Sequence, residues 1–250
     1  MKKSVTPYSN TNIAVLANEL CQFRYNMTLG EHRIFKLYVS KIANTYDESI
    51  EGLYYTVSVA EYAETWGLRT DNARNELKEA AHKLWRSQVT TETSAGSYAM
   101  LRWICELSYS SEDDSFKLCW SPTVHRYISN LKGSYAKLSL VDMKNFNSSY
   151  SFRLYEILIS RVGENGYKKP RFSVEELMDM LQVPESYRSY NIFKQKVLTP
   201  CTKELRENVT QFSRLAFEGI PQPRSKKIIE IEWQYAGIGN KYAKQTGEIG

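Results

Sequence analysis

Ser173-Val174-Glu175-Glu176, then Leu181-Gln182-Val183-Pro184, then Tyr190-Asn191-Ile192-Phe193-Lys194-Gln195-Lys196-Val197 is the stretch that decides the fold. Ser173 with Glu176 three residues on reads as a capping box: the hydroxyl accepts from an orphan helix N–H and the carboxylate reaches back. It opens a short helix over Val174–Leu181. Val183-Pro184 breaks the pattern, and a longer helix spans Ser189–Asn208. A helix, a turn and a second helix form the unit from which many DNA readers are built.

The same order occurs earlier in the chain. Ser58-Val59-Ala60-Glu61 opens a helix over Val59–Trp66, Gly67-Leu68 makes the turn, and Asp71–Arg86 is the longer helix, with Ala73, Leu77, Ala80, Ala81 and Leu84 on one face. The two boxes lie 115 residues apart. Phe35-Lys36-Leu37-Tyr38 and Phe152-Arg153-Leu154-Tyr155, each in a helical pattern, lie 117 apart. Matched offsets in the same order indicate an internal repeat. Residues 10–131 form the first copy, 132–236 the second, and 237–250 a flexible tail without periodicity.

The remaining elements complete each copy. The first begins with a predicted helix over Ile13–Tyr25 and a second over Gly30–Ala43, followed by a strand at Tyr54–Val59. Its closing hairpin alternates Leu101, Trp103, Cys105 and Leu107, turns at Ser110–Ser115, and returns through Phe116, Leu118 and Trp120. The second copy has a helix over Ser149–Val162 and a strand at Lys169–Phe172. Its hairpin turns at Pro221–Lys227 and returns through Ile229, Ile231, Trp233 and Tyr235. Helix, strand, helix, turn, helix, hairpin is the order of a winged helix. The predicted class is therefore α+β, with two tandem winged-helix domains.

Composition sets the outer limits. The 250 residues are 42% hydrophobic and 24% charged, which is ordinary for a globular protein. No apolar run approaches the roughly 20 residues of a membrane span, and the first residues lack the apolar core of a secretory signal, so a cytoplasmic protein without membrane contact is expected. The net charge of +5 is a mild excess compatible with a polyanionic partner. Cys21, Cys105, Cys119 and Cys201 have neither metal-ligand nor redox spacing and read as core residues of a reducing compartment. His32, His82 and His125 form no cluster, and no phosphate loop or nucleophile elbow is present. Asp113-Asp114 sits in a hairpin turn and reads as solvated. No enzyme activity, cofactor or metal is expected.

The surface of the second long helix carries the sharpest signal. On a helical wheel Tyr190, Phe193, Val197, Cys201 and Leu205 share the inner side. Arg188, Ile192, Gln195, Lys196, Thr199, Lys203 and Arg206 share the outer. Cations suit phosphates, Gln suits adenine, and Ile192 suits a thymine methyl. For charge alone, a solvated lysine-rich helix is the more common explanation. Pro200 is expected to bend or tighten the helix. The first long helix shows Asn72, Asn75, Glu79, His82 and Arg86 outward, flanked by Arg74 and Lys78, a weaker pattern that Glu76 and Glu79 could balance as an ordinary surface. Arg224-Ser225-Lys226-Lys227 is a basic hairpin tip, suited to phosphate or simply to water. The many aromatic residues fall chiefly on the apolar faces and read as core.

Several of these segments resemble the iteron-type plasmid replication initiators. The residues that carry the resemblance are Tyr150-Ser151-Phe152-Arg153-Leu154-Tyr155-Glu156, Leu181–Arg188, Phe193–Leu198, and Val59-Ala60-Glu61-Tyr62-Ala63-Glu64 with Gly67-Leu68. The resemblance runs from about Asn12 to Trp233. It implies a protein that binds repeated sites in duplex origin DNA as a monomer and represses its own gene, at an inverted repeat, as a dimer formed through the first domain. It also implies host partners: an initiator, a helicase and chaperones. Ser189 and Gln195 fall where a member of the family has base-facing arginines, so the target sequence should differ. Arg74 and Asn75 fall in the DNA-facing stretch of the first copy, and Lys194 and Lys196 keep its positive charge in the second. The DNA-binding set is thus Asn72, Arg74, Asn75, Lys78, Arg188, Ser189, Ile192, Lys194, Gln195, Lys196, Lys203, Arg224, Lys226 and Lys227. A transcriptional repressor on the same fold and a strand-nicking replication enzyme remain as alternatives.

Overall fold

Two Ser residues start the two short helices, as their spacing predicts. In the computed structural model, which describes residues 12–42, 53–94, 97–129, 131, 135–162 and 169–235, Ser58 Oγ accepts from Glu61 N–H at 3.1 Å and Ser173 Oγ from Glu176 N–H at 3.0 Å. The glutamate halves of the boxes are turned elsewhere. Glu61 pairs with Lys41 at 2.8 Å and Glu176 with Arg161 at 3.8 Å. In both copies the carboxylate therefore ties the short helix to the end of the helix before it.

The chain divides into two compact units, residues 1–145 and 146–250. The first unit runs β1 (Ile13–Ala17), α1 (Asn18–Gln22), α2 (Leu29–Ile42), β2 (Tyr54–Ser58), α3 (Val59–Trp66), α4 (Thr70–Arg86), β3 (Gln88–Ser94), β4 (Ser97–Arg102), β5 (Ile104–Ser110), β6 (Ser115–Trp120), α5 (Pro122–Arg126), β7 (Tyr135–Ser139) and α6 (Leu140–Met143). Strand β6 is central in an antiparallel sheet of order β2-β6-β5, with Tyr54 opposite Cys119 and Ser110 opposite Ser115. Behind it lies an aromatic core. Tyr38 stacks on Trp120 at 4.4 Å, and Phe35 lies 5.1 Å from Trp103 and 5.4 Å from Trp120.

The second unit runs α7 (Ser149–Val162), β8 (Arg171–Ser173), α8 (Val174–Met180), a 3₁₀ turn (Glu185–Tyr187), α9 (Tyr190–Phe193), a π turn (Lys194–Leu198), α10 (Thr199–Asn208), β9 (Ala216–Pro221) and β10 (Ile228–Gln234). Its sheet has order β8-β10-β9, the same topology as the first. Phe172, Ile231 and Trp233 line its buried face, while Phe146, Phe152, Tyr155 and Phe212 meet edge to face beside α7. Both units are winged helices, and the α+β class holds.

Four expectations need correction. Ile13–Ala17 is a strand, because Ala14 and Leu16 are buried in alternation and the segment pairs antiparallel with β7. That pairing draws residues 135–139 into the first unit, although β7 and α6 repeat the order of β1 and α1. The repeat, which places its boundary after residue 131, and the compact units therefore divide the chain at different points. In the first hairpin, Trp103 and Ile104 are both fully buried, which breaks the alternation expected over 101–107. The chain turns there from a separate β3–β4 hairpin into β5. Cys105 consequently lies exposed instead of in the core. Finally, Pro200 does not tighten the long helix; the turn before it is wider instead. Lacking an N–H, it is preceded by a wider π turn in which Thr199 N–H reaches back to the Lys194 carbonyl. Residues 237–250 and the start of the first copy lie outside the described residues.

Candidate nucleic-acid interface

Each long helix is held from below by a different device. In the first unit, α2 crosses α4 so closely that a Cβ on Gly30 would sit 2.9 Å from Ala80 Cβ. Glu76, on the inner flank of α4, accepts from Tyr62 Oη at 2.7 Å and pairs with Arg33 at 2.8 Å. Burial pushes the Tyr62 hydroxyl well above its ordinary pKa, which keeps it a donor. In the second unit, Phe193, Val197, Cys201 and Leu205 are buried, as the wheel requires, together with Leu198, while Tyr190 is half-buried. Tyr190 Oη packs on the wing: a Cβ on Gly219 of β9 would lie 2.3 Å from it.

The turns before the long helices are equivalent. Gly67 closes α3 at φ 64°, in the left-handed region, with its N–H reaching Ala63 and Glu64 carbonyls. Gln182, 115 residues on, takes the same conformation at φ 49°, and its side-chain amide donates to the Asp179 carbonyl at 2.7 Å. The helices that follow start alike. Helices α3, α6 and α8 carry a serine cap, but α4 (N-cap Arg69) and α9 (N-cap Ser189) have no side-chain cap. A helix start whose orphan N–H groups are not taken by a cap suits an anionic oxygen.

On the second unit's outer face Ser189, Ile192, Lys194, Gln195, Lys196 and Lys203 are all exposed. Among the described residues, Ile192 is one of few large apolar side chains so placed, at 39% exposure. Asn191, which the wheel did not single out, is exposed among them. Arg188 stands apart. It is half-buried and ion-paired with Asp179 of α8, whose hydrogen bond raises the guanidinium pKa. It braces the corner between the two helices. Lys203 pairs loosely with Glu207 at 3.8 Å.

The wing tip of the same unit is basic. Gln222 N–H bonds the Lys227 carbonyl at 2.8 Å, and Ser225 Oγ accepts from Lys227 N–H at 3.1 Å. Arg224, Lys226 and Lys227 all project into solvent. Arg224 adopts φ 62°, a left-handed backbone that a residue with a Cβ occupies at a cost. Lower on the sheet, Arg171 pairs with Glu232 at 2.8 Å and Glu230 at 3.7 Å, holding the Glu232 carboxyl below its ordinary range. The acids of β10 are thereby matched, and the cations at the tip set its sign.

The first unit presents Asn72, Arg74, Asn75 and Lys78 on exposed positions of α4, and a groove of about 400 Å³ continues along Asn75, Lys78, Glu79, His82, Lys83 and Arg86. Its wing tip is acidic, with Glu112, Asp113 and Asp114. Arg74 bonds Asp114 at 2.8 Å and reaches Asp71 at 3.4 Å. Its charge is thus spent within the unit, which periodicity could not reveal. Among the described residues, no group of three or more His, Cys, Asp or Glu side chains could hold a metal ion, and no helix is long and apolar enough to cross a membrane.

Two three-stranded sheets, each backing a helix-turn-helix and ending in a wing, define a tandem winged-helix protein. Two sequence families match it: "Initiator Replication protein, WH1" over residues 13–159 and "Initiator Rep protein, WH2" over residues 173–241. The chain belongs to the initiator Rep protein family, the one that the sequence resembles. A replication initiation protein of Escherichia coli is 26% identical over 221 residues, covering 86% of this chain and 68% of that one. A second E. coli relative, an uncharacterized 27.6 kDa protein, is 23% identical over 216 residues, with coverage of 81% and 88%. The crystal structure of the Pi initiator protein in complex with iteron DNA has a similar fold. Its TM-score is 0.74 at 20% identity, over 92% of this chain and 98% of that one.

Proposed function

We propose that the chain is a plasmid replication initiator that binds origin iterons in duplex DNA as a monomer, with one winged helix per major-groove segment. The observation that carries this reading is the second unit's combination of an uncapped helix start, an exposed Ser189, Ile192 and Gln195 face flanked by Lys194 and Lys196, and a cationic wing. The face supplies base-edge donors, acceptors and a methyl contact, and the cations supply phosphate contacts. Ser189, Ile192 and Gln195 read bases. Lys194, Lys196, Lys203, Arg224, Lys226 and Lys227 hold backbone, and Arg188 fixes the helix corner. In the first unit Asn72, Asn75 and Lys78 serve the adjacent segment, with Arg74 regulated by its partner. The protein acts by binding; chaperones convert dimer to monomer beforehand, and host initiator and helicase do the later work.

Autorepression as a dimer through the first unit belongs to the same reading. Tyr98 and Met100 on β4 are exposed by 67% and 54%, and Trp85 at the end of α4 by 46%. Arg102 bonds the Trp85 carbonyl at 3.1 Å, joining the helix end to that hairpin. An apolar patch on a two-stranded sheet suits pairing with a second copy.

Titration of Gln195→Ala and Lys226→Ala against an iteron and a scrambled duplex tests the assignment. Gln195→Ala loses about 1–3 kcal/mol of discrimination at one base pair. Lys226→Ala weakens both duplexes alike and lowers the salt slope by about one. Uniform weakening by Gln195→Ala would remove it from the reading face.

A further inference from the structure

Cys105 and Cys119 lie fourteen positions apart in sequence, and the first unit's wing brings the two thiols together: Cys105 Sγ lies 3.3 Å from Cys119 Sγ and 3.5 Å from the Cys119 carbonyl oxygen. The cause is an irregularity in the ladder. Ile104 pairs with Trp120 and Glu106 with Cys119, so Cys105 is the extra residue of a β-bulge and is turned toward Cys119. Cys105 is exposed, whereas Cys119 is 5% exposed and Cys21 and Cys201 are buried.

We propose that Cys105 and Cys119 are a reversible disulfide site, a redox modification point in the first wing whose reactant is a low-molecular-weight disulfide. This inference does not depend on the DNA-binding reading. The exposed Cys105 thiol, as its thiolate, attacks one sulfur of the small disulfide; the S–S bond breaks and the departing thiolate takes the proton. A mixed disulfide on Cys105 results. Cys119, losing its proton to solvent, then attacks Cys105 Sγ and expels the second small thiol. Two protein thiols are oxidised and one small disulfide is reduced to two thiols. Closure asks the sulfurs to move from 3.3 Å to about 2.05 Å, within reach of side-chain rotation on neighbouring strands. Burial and the adjacent Cys105 push the Cys119 thiol up to about 11, so the second step quickens as pH rises. The bond would fix the bulge at the base of the hairpin whose tip carries Asp114.

Trypsin cuts after Arg102, Lys117 and Arg126, placing the two cysteines on separate peptides. The full chain is treated with oxidised glutathione, alkylated and mapped without reductant. The expected product is the Cys105–Cys119 linked pair, reversed by dithiothreitol, with Cys21 and Cys201 alkylatable only after unfolding. Cys105→Ser abolishes it. Cys119→Ser leaves glutathione on Cys105, and Cys119→Val, which refills the buried site, does the same should the serine variant fail to fold. Glutathione retained on Cys105 of the unmutated chain with Cys119 reduced, Cys105 linked to Cys105 of a second molecule, or no oxidation of Cys105 would each overturn the proposal.

Discussion

Arg74 of α4 and Asp114 of the β5–β6 turn form a two-point contact, with Nη2 2.8 Å and Nε 3.1 Å from Asp114 Oδ2. Tyr109 donates to the other carboxylate oxygen at 2.9 Å. Helix α4 and the wing tip are thus fastened through this guanidinium, for which a DNA phosphate would compete if α4 contacts DNA as proposed. Asp114→Asn releases Arg74 and removes an anion. Affinity for duplex DNA is expected to rise several-fold on every sequence, with a salt slope steeper by about one, read by fluorescence anisotropy over a salt series. An unchanged slope would mean that Arg74 does not engage phosphate.

The same contact sets a pH dependence. The Arg74 hydrogen bond holds the Asp114 carboxyl below its ordinary value of 3.8, and the Asp114 bond raises the Tyr109 hydroxyl. A depressed folded pKa gives stabilisation that is complete above the unfolded value and lost as pH falls through the folded one. Denaturant melts between pH 5 and pH 2 should therefore show a loss below about pH 4 that is smaller in Asp114→Asn, which keeps only the contribution of other depressed carboxyls such as Glu232. Parallel curves for the two proteins would contradict it.

Tyr190 and Gly219 couple helix to wing in the second unit. Gly219→Ala places a methyl against Tyr190 Oη and Ile228 Cγ2, contacts of 2.3 and 2.9 Å, so the tyrosine must shift. The expected stability loss is about 1–3 kcal/mol, with a larger loss of affinity for the specific site than for scrambled DNA, since the helix proposed to read bases moves while the cations remain. Tyr190→Phe in the Gly219→Ala background should recover part of both. No recovery would place the strain elsewhere.

Gln182 takes the backbone that Gly67 takes in the first copy. Gln182→Gly is expected to raise stability by about 0.5–1 kcal/mol in denaturant melts, since the left-handed cost exceeds a single exposed amide hydrogen bond. A loss of stability would assign the Nε2 bond to Asp179 the larger share.

Much of the fold was legible because it rests on local rules. Ser58 and Ser173 mark helix starts, and period alone placed Leu77, Ala81, Val197 and Cys201 inside. What was not legible depends on partners distant in sequence. Ile13–Ala17 is short and apolar, so period could not separate helix from strand, and only pairing with β7 decides it. The Trp103 turn and the Cys105 bulge follow from packing two bulky side chains, Trp103 and Ile104, on the same core. For the candidate site, exposure of Ile192, Gln195 and Lys196 followed from the wheel. The pairing of Arg188 with Asp179 and of Arg74 with Asp114 did not, because ion pairs across a turn or between a helix and a hairpin leave no periodic trace.

The most direct measurement is a nuclease footprint of the full chain on the DNA flanking its own gene, repeated over a salt series. The account predicts protection of regularly spaced direct repeats, each about two helical turns long, persisting at salt that removes non-specific binding. Protection of a single inverted repeat alone, or none above background, would contradict it.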